Sequence, residues 1–176
     1  MSRRSRWCVF GSMLVGLALL LASATIGAQP LLVWNATASA PIGFYRVRPI
    51  GVQPPRIGEL VLIRPDATSA RLYAERGYLP LDVPLLKRVA AIAGQRVCER
   101  DGALSIDGRH VADALPTDGQ GRPLAAWSGC RPLRDGELFL LMADVTASLD
   151  GRYFGPTPIR SVIGHATPLW ILDEHQ

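Results

Sequence analysis

No charged residue interrupts the chain from Trp7 to Ala28, and none follows before Arg46. An apolar run of that length is enough to cross a bilayer as a helix of about 20 residues. Beyond it the pattern changes. Short runs rich in Val, Ile, Leu and aromatic residues alternate with Gly and Pro, which predicts a mostly β body with tight turns. Strands are expected over Gly43–Val47, Glu59–Arg64, Leu86–Ala93, Arg96–Arg100, Leu104–Ile106, Glu137–Met142 and His165–Leu172. One segment, Ser69–Arg76, has the Ala, Leu, Arg and Glu content of a helix, and Gly77 ends it. Asp101-Gly102 and Asp107-Gly108 flank Ala103–Ile106 and predict successive hairpin turns around a short strand. Between Asp113 and Arg134 the residues turn to Pro, Gly, Asp and Thr, the content of a surface excursion and not of a domain.

At 176 residues the chain has room for one compact domain and a short anchor. The expected division is a signal anchor or transmembrane segment over residues 1–28 and an exported domain over 29–176. The formal charge of +4 changes the picture little, because Arg3, Arg4 and Arg6 precede the apolar run and leave only +1 for the remainder. No basic face or Lys/Arg-rich helix remains for a nucleic acid to grip. Basic residues ahead of the run, and none just after it, keep the N-terminus in the cytoplasm and send the body across the inner membrane. Ala22-Ser23-Ala24 also fits a small-residue cleavage site, so a soluble periplasmic protein released from a signal peptide is the alternative. In that oxidising compartment Cys98 and Cys130, the two cysteines of the body, are expected to form a disulfide, the alternative being two separate buried thiols. Such a bridge would close a loop worth about 3–4 kcal/mol in the chain-entropy model. No metal-ligand spacing is present, since His110, His165 and His175 are scattered.

Three stretches carry candidate chemistry. In Asn35-Ala-Thr-Ala-Ser-Ala-Pro41, Ser39 lies among small side chains, and Pro41 biases Ala40 toward an extended backbone, so the hydroxyl could lie open beside a peptide. Ser-x-Pro also occurs in ordinary loops. In Pro84–Gly94, Lys87 interrupts an apolar strand. Burial there would disfavour its ammonium and draw its pKa down toward that of a general base; the plainer alternative is a lysine facing solvent. In Ser148-Leu-Asp-Gly-Arg-Tyr-Phe-Gly-Pro156, Asp150 and Arg152 are placed to pair across a turn, and Ser148 is a hydroxyl partner for a lysine. A structural turn with a surface ion pair is the alternative.

In order and spacing, Ser39-Ala-Pro41, Lys87-Arg-Val-Ala-Ala-Ile-Ala-Gly94 and Asp150-Gly-Arg-Tyr-Phe-Gly155 together resemble the signal peptidase family of Ser/Lys proteases, the S26 type. Within it, the short excursion, Trp127-Ser-Gly-Cys130 and the Arg-Tyr-Phe-Gly-Pro156 ending look like the TraF-type conjugative transfer peptidases. The resemblance implies a coiled, partly closed antiparallel sheet behind one N-terminal transmembrane helix. It implies a serine endopeptidase without cofactor or metal, with Ser39 as nucleophile, Lys87 as general base and Asp150 as a further catalytic residue acting through Arg152 or the active-site loop. Thr37 and the Ser39 N–H would form an oxyanion hole, with Ser148 and Arg152 in support. The implied substrate is an exported protein, a conjugative pilin precursor cleaved and in some relatives cyclised, with the conjugative transfer machinery as partner. A general signal peptidase acting on many preproteins is the near alternative, and a non-catalytic membrane-anchored β scaffold the distant one. One departure stands out: Ala143-Asp-Val145 occupies the place where ordinary signal peptidases carry Gly-Asp-Asn.

Overall fold

The computed structural model describes residues 7, 11–18, 21, 32–51 and 53–172. The chain divides into two units, 1–30 and 31–176. In the first, the described residues are helical. Most of the expected membrane segment, including the Ala22-Ser23-Ala24 cleavage site, lies outside the described residues. Among those described, no helix is long and apolar enough to cross a membrane.

The second unit is mostly β. Its strands are β1 (Leu32–Asn35), β2 (Gly43–Pro49), β3 (Leu60–Ile63), β4 (Leu85–Ile92), β5 (Arg96–Arg100), β6 (Ala103–Ile106), β7 (Arg109–Asp113), β8 (Gly129–Pro132), β9 (Glu137–Leu140), β10 (Thr157–Pro158) and β11 (Val162–Ile171). Helix α1 (Ala67–Glu75) joins β3 to β4, and the single turn α2 (Gly151–Phe154) precedes β10. Seven strands pair antiparallel in the order β1-β2-β11-β3-β4-β9-β10, and four in the order β7-β6-β5-β8. Register shifts at Val162/Gly164 and Pro168/Trp170 in β11, and at Val89/Ala91 in β4, curl the larger sheet, because each unpaired residue bends its strand and increases the twist.

Strict alternation decides which face each strand buries. In β2, Tyr45 and Val47 are buried while Phe44, Arg46 and Arg48 point outward. Tyr45 and Val47 pack with Ala40, Leu62, Leu86, Met142 and Ala166 under the serine turn. A second cluster seats Tyr73 of α1 against Val61, Val89 and Leu140. A third, with Ala91, Val97, Leu104 and Phe139, locks the smaller sheet to the larger. Asp66 caps α1, its carboxylate accepting from the Thr68 and Ser69 N–H groups at 2.9 and 3.1 Å.

Both Asp-Gly pairs are two-residue hairpin turns with positive φ at each position, 54° and 87° at Asp101-Gly102 and 51° and 80° at Asp107-Gly108. The expected disulfide is present: Cys98 and Cys130 face each other directly across β5 and β8. It fastens the end of the 113–134 excursion, whose last residues form β8 instead of loop. The seven expected strands all occur with boundaries shifted by at most three residues.

Candidate active site

The serine turn runs from the end of β1 into β2, and one buried side chain gives it its shape. Asn35 Nδ2 donates to the carbonyls of Thr37 (2.9 Å), Ala40 (2.9 Å) and Pro41 (3.1 Å). Its Oδ1 accepts from the Thr37 N–H (3.3 Å) and the Thr37 hydroxyl (3.0 Å). The Pro41 carbonyl also receives the Tyr45 hydroxyl at 2.6 Å. Ser39 Oγ, half-buried on this turn, lies 3.1 Å from Thr37 Oγ1.

Lys87 sits on β4 opposite Val61 of β3 and is only 2% exposed, which rules out the solvent-facing alternative. Its Nζ donates to Ser148 Oγ at 2.9 Å. Burial draws its pKa from 10.5 down to about 8; the Asp150 carboxylate pulls the other way, and Arg152 adds to the drop. Ser39, Lys87 and Ser148 line one cleft of about 590 Å³. Among the described residues no hydrogen bond joins Lys87 to Ser39, whose hydroxyl pairs with Thr37 instead.

Asp150 does not line the cleft. It is fully buried, accepting from Arg152 Nε and Nη2, both at 2.9 Å, and from the Met142 N–H at 3.0 Å. Arg152, 1% exposed, spreads its guanidinium over the carbonyls of Met142, Val145 and Thr146. The pair staples the 142–152 loop into the shape that presents Ser148 to Lys87, and the surface ion pair considered from the sequence is in fact buried. Behind it, Trp127 lies against Gly155, where an added Cβ would stand 2.4 Å from Trp127 Cδ1, and the Trp127 N–H bonds the Arg152 carbonyl at 2.8 Å.

The 113–134 excursion forms one wall of the cleft through Leu115, Asp118 and Leu124. It is clasped to the segment after α1, where the Tyr78 hydroxyl donates to Asp118, Arg122 Nη1 donates to the Arg76 carbonyl at 3.2 Å, and Arg76 Nη1 donates to the Pro123 carbonyl at 2.8 Å. Among the described residues no group of three or more His, Cys, Asp or Glu could hold a metal ion.

Asn35 stands outside the three motifs that the sequence marks. The signal was a side-chain amide at a strand end ahead of a turn of small residues, the place where Asn bonds nearby backbone. The Asp118 clasp left no signal, because its partners are about 40 residues apart.

The model of the family described as signal peptidase, peptidase S26, matches residues 4–171. The chain belongs to the signal peptidase S26 family. Members similar to it include a probable conjugal transfer protein TraF of Sinorhizobium fredii (strain NBRC 101917 / NGR234), 40% identical over 141 residues that make up 75% of this chain and 73% of that one. A conjugal transfer protein TraF of Agrobacterium tumefaciens (strain 15955) is 37% identical over 145 residues, 77% of this chain and 80% of its own. Among solved structures, a signal peptidase I from Enterococcus faecalis V583 aligns over 66% of this chain and all of its own, with 21% identity and a TM-score of 0.41. All three motifs of this signal peptidase S26 chain fall inside the matched residues, so family membership and cleft geometry bear on the same side chains.

Proposed function

We propose that this chain is a membrane-tethered serine endopeptidase that processes an exported substrate, a conjugative pilin precursor, through an acyl-enzyme formed by Ser39 with Lys87 as base. One observation carries the reading: a lysine buried to 2% exposure, drawn down to about 8, shares a single cleft with a serine in a family of serine peptidases. A protein gains no stability by burying an ammonium there, whereas a general base needs a proton affinity close to working pH. The names of the TraF relatives support a role in conjugation.

Neutral Lys87 takes the Ser39 proton, and the Ser39 oxygen attacks the scissile carbonyl. The Ser39 N–H and the Thr37 hydroxyl stabilise the oxyanion, about 2.7–4 kcal/mol for a strong donor. Collapse passes the proton from Lys87 to the leaving amine and leaves an ester on Ser39. Water activated by Lys87 then releases a linear product, or the substrate's own N-terminal amine attacks and closes a ring. The Lys87–Ser39 hydrogen bond forms with substrate in place, since catalytic contacts commonly tighten only in the Michaelis complex. Ser148 holds the amine meanwhile.

Three exposed aromatic residues support a position against the inner membrane. Trp34, Phe44 and Trp170 face one another across β1, β2 and β11, with ring centroids 4.8–6.2 Å apart, and Leu32, Leu169 and Leu172 are exposed nearby. Tyr45, on the opposite face of β2 from Phe44, packs in the core instead.

The test is processing of a membrane-inserted pilin precursor by wild type, Ser39→Ala and Lys87→Ala at matched expression, with products weighed by mass spectrometry. Loss of product in both variants supports the mechanism, and a product one water lighter than the linear peptide identifies cyclisation. Activity in both would leave a scaffold. Equal cutting of unrelated preproteins would make it a general signal peptidase.

A further inference from the structure

Asn35 is buried at the serine turn, 8% exposed, and it belongs to none of the three motifs. A primary amide has two N–H donors and one oxygen with two lone pairs. Here all of this capacity is used: two hydrogens serve three carbonyls, and the oxygen takes two donors. The orientation of the amide follows from the partners. The carbonyls of Thr37, Ala40 and Pro41 can only accept, so the nitrogen must face them, and Oδ1 must face Thr37. Ala36, Ala38 and Ala40 have no polar side chain to hold the turn, so the amide does so.

A second step follows from counting protons. Thr37 has one hydroxyl hydrogen, and Oδ1 of Asn35 can only accept it. Thr37 Oγ1 is then the acceptor in its 3.1 Å contact with Ser39 Oγ, and the Ser39 proton points at Thr37. The hydroxyls therefore run in one direction, Ser39 to Thr37 to Asn35.

We propose that Asn35 is the positioning residue of the nucleophile turn, clamping residues 37–41 around its amide and fixing the direction of the Ser39–Thr37 hydroxyl chain. This rests on the reading of Ser39 as nucleophile and Thr37 as oxyanion donor. When the Ser39 proton passes to Lys87, the Thr37 hydroxyl turns from Asn35 to the oxyanion. Oδ1 is not orphaned by that turn, because the Thr37 N–H still reaches it at 3.3 Å. Asn35 can thus release Thr37 in the transition state while its nitrogen keeps hold of the turn.

The experiment uses the full chain in detergent micelles and a quenched fluorescent peptide spanning the cleavage site that mass spectrometry identifies in the pilin precursor. Wild type, Asn35→Ala, Thr37→Val, the double variant and Ser39→Ala are compared. Loss of one oxyanion donor is expected to lower kcat by about 10²–10³ for Thr37→Val. Asn35→Ala is expected to lower kcat by about 10² with KM nearly unchanged, and the double variant to match the worse single one, because residues that act as a unit are non-additive. A double loss equal to the product of the singles, or an Asn35→Ala effect confined to KM, overturns the proposal. Hydrogen exchange read by mass spectrometry supplies an arm independent of activity: Asn35→Ala should speed exchange over residues 36–42 and leave β4 and β9 protected. Unchanged exchange there removes the clamp. Should Asn35→Ala fail to fold, Asn35→Ser, which retains a small hydroxyl donor, takes its place in the same cycle. Full activity in Ser39→Ala would sink the nucleophile reading, while the exchange result would still decide the clamp.

Discussion

Lys87 carries the sharpest consequences of any single residue. With a pKa of about 8, the neutral fraction rises from about one-tenth at pH 7 to about half at pH 8. The pH profile of kcat/KM is therefore expected to climb through pH 7 and 8 and level off above about pH 9, as it reports the free enzyme's base. A profile flat from pH 6 to 9 would remove Lys87 from that role. The same burial costs stability. Holding an ammonium whose pKa falls from 10.5 to about 8 disfavours the fold by about 3 kcal/mol below pH 8. The unfolded chain binds that proton up to its ordinary pKa, so wild-type stability should climb with pH between about 8 and 10.5. Lys87→Met, similar in length and apolar, is expected to abolish processing yet raise stability at pH 7 by about 1–3 kcal/mol, less whatever the lost Ser148 bond contributes. That gain should shrink as pH approaches 10.5, a trend that urea titrations at several pH values would read. Ser39, Lys87 and Ser148 were legible in the sequence because each sits in a short motif. Asn35 was not, since its role is defined by where three backbone carbonyls converge after folding.

Among the elements, the loop between β9 and α2 shows how a motif can matter without touching substrate. The Asp150–Arg152 pair closes hydrogen bonds to the Met142 N–H and to three carbonyls, all inside the fold. Arg152→Ala would strand a buried carboxylate together with those carbonyls. A loss of about 3–5 kcal/mol is expected in urea unfolding, the range for breaking a buried pair from one side. Asp150→Asn keeps the outline but turns an –NH2 toward N–H donors and leaves the buried guanidinium unpaired, so it should cost a similar amount. An unfolding midpoint that Arg152→Ala leaves unmoved would show that the staple does not hold the loop. The sequence suggested the pairing but not its burial, because spacing alone does not say which side of a turn is covered. The longer strands were legible through apolar runs and alternation, and the two Asp-Gly turns through their need for positive φ. β1, β7, β8, β10 and α2 were not. At two to five residues they are too short to show a period, and β8 and β10 owe their pairing to strands farther back in the chain.

Over the whole 31–176 unit, the cleft is continuous with an apolar edge, because Trp34 belongs to both the cleft lining and the Trp34, Phe44 and Trp170 cluster. These rings are 39–54% exposed on adjacent strands, and a soluble surface gives them nothing to pack against. Trp at a membrane surface places an apolar ring at headgroup level. If this edge rests on lipid, the serine turn faces segments that emerge from the bilayer, and the orientation of the body helps to select its substrate. Trp34 also shapes the cleft, so the discriminating variants are on β2 and β11. Phe44→Ser with Trp170→Ser should slow processing of a membrane-inserted precursor about tenfold or more and leave cleavage of a soluble peptide nearly unchanged. The same pair should weaken binding of residues 31–176, where that unit can be made alone, to vesicles with an anionic surface, read by sedimentation. Equal slowing on both substrates would instead mean that the aromatic edge supports the fold of the cleft and does not seat it on lipid.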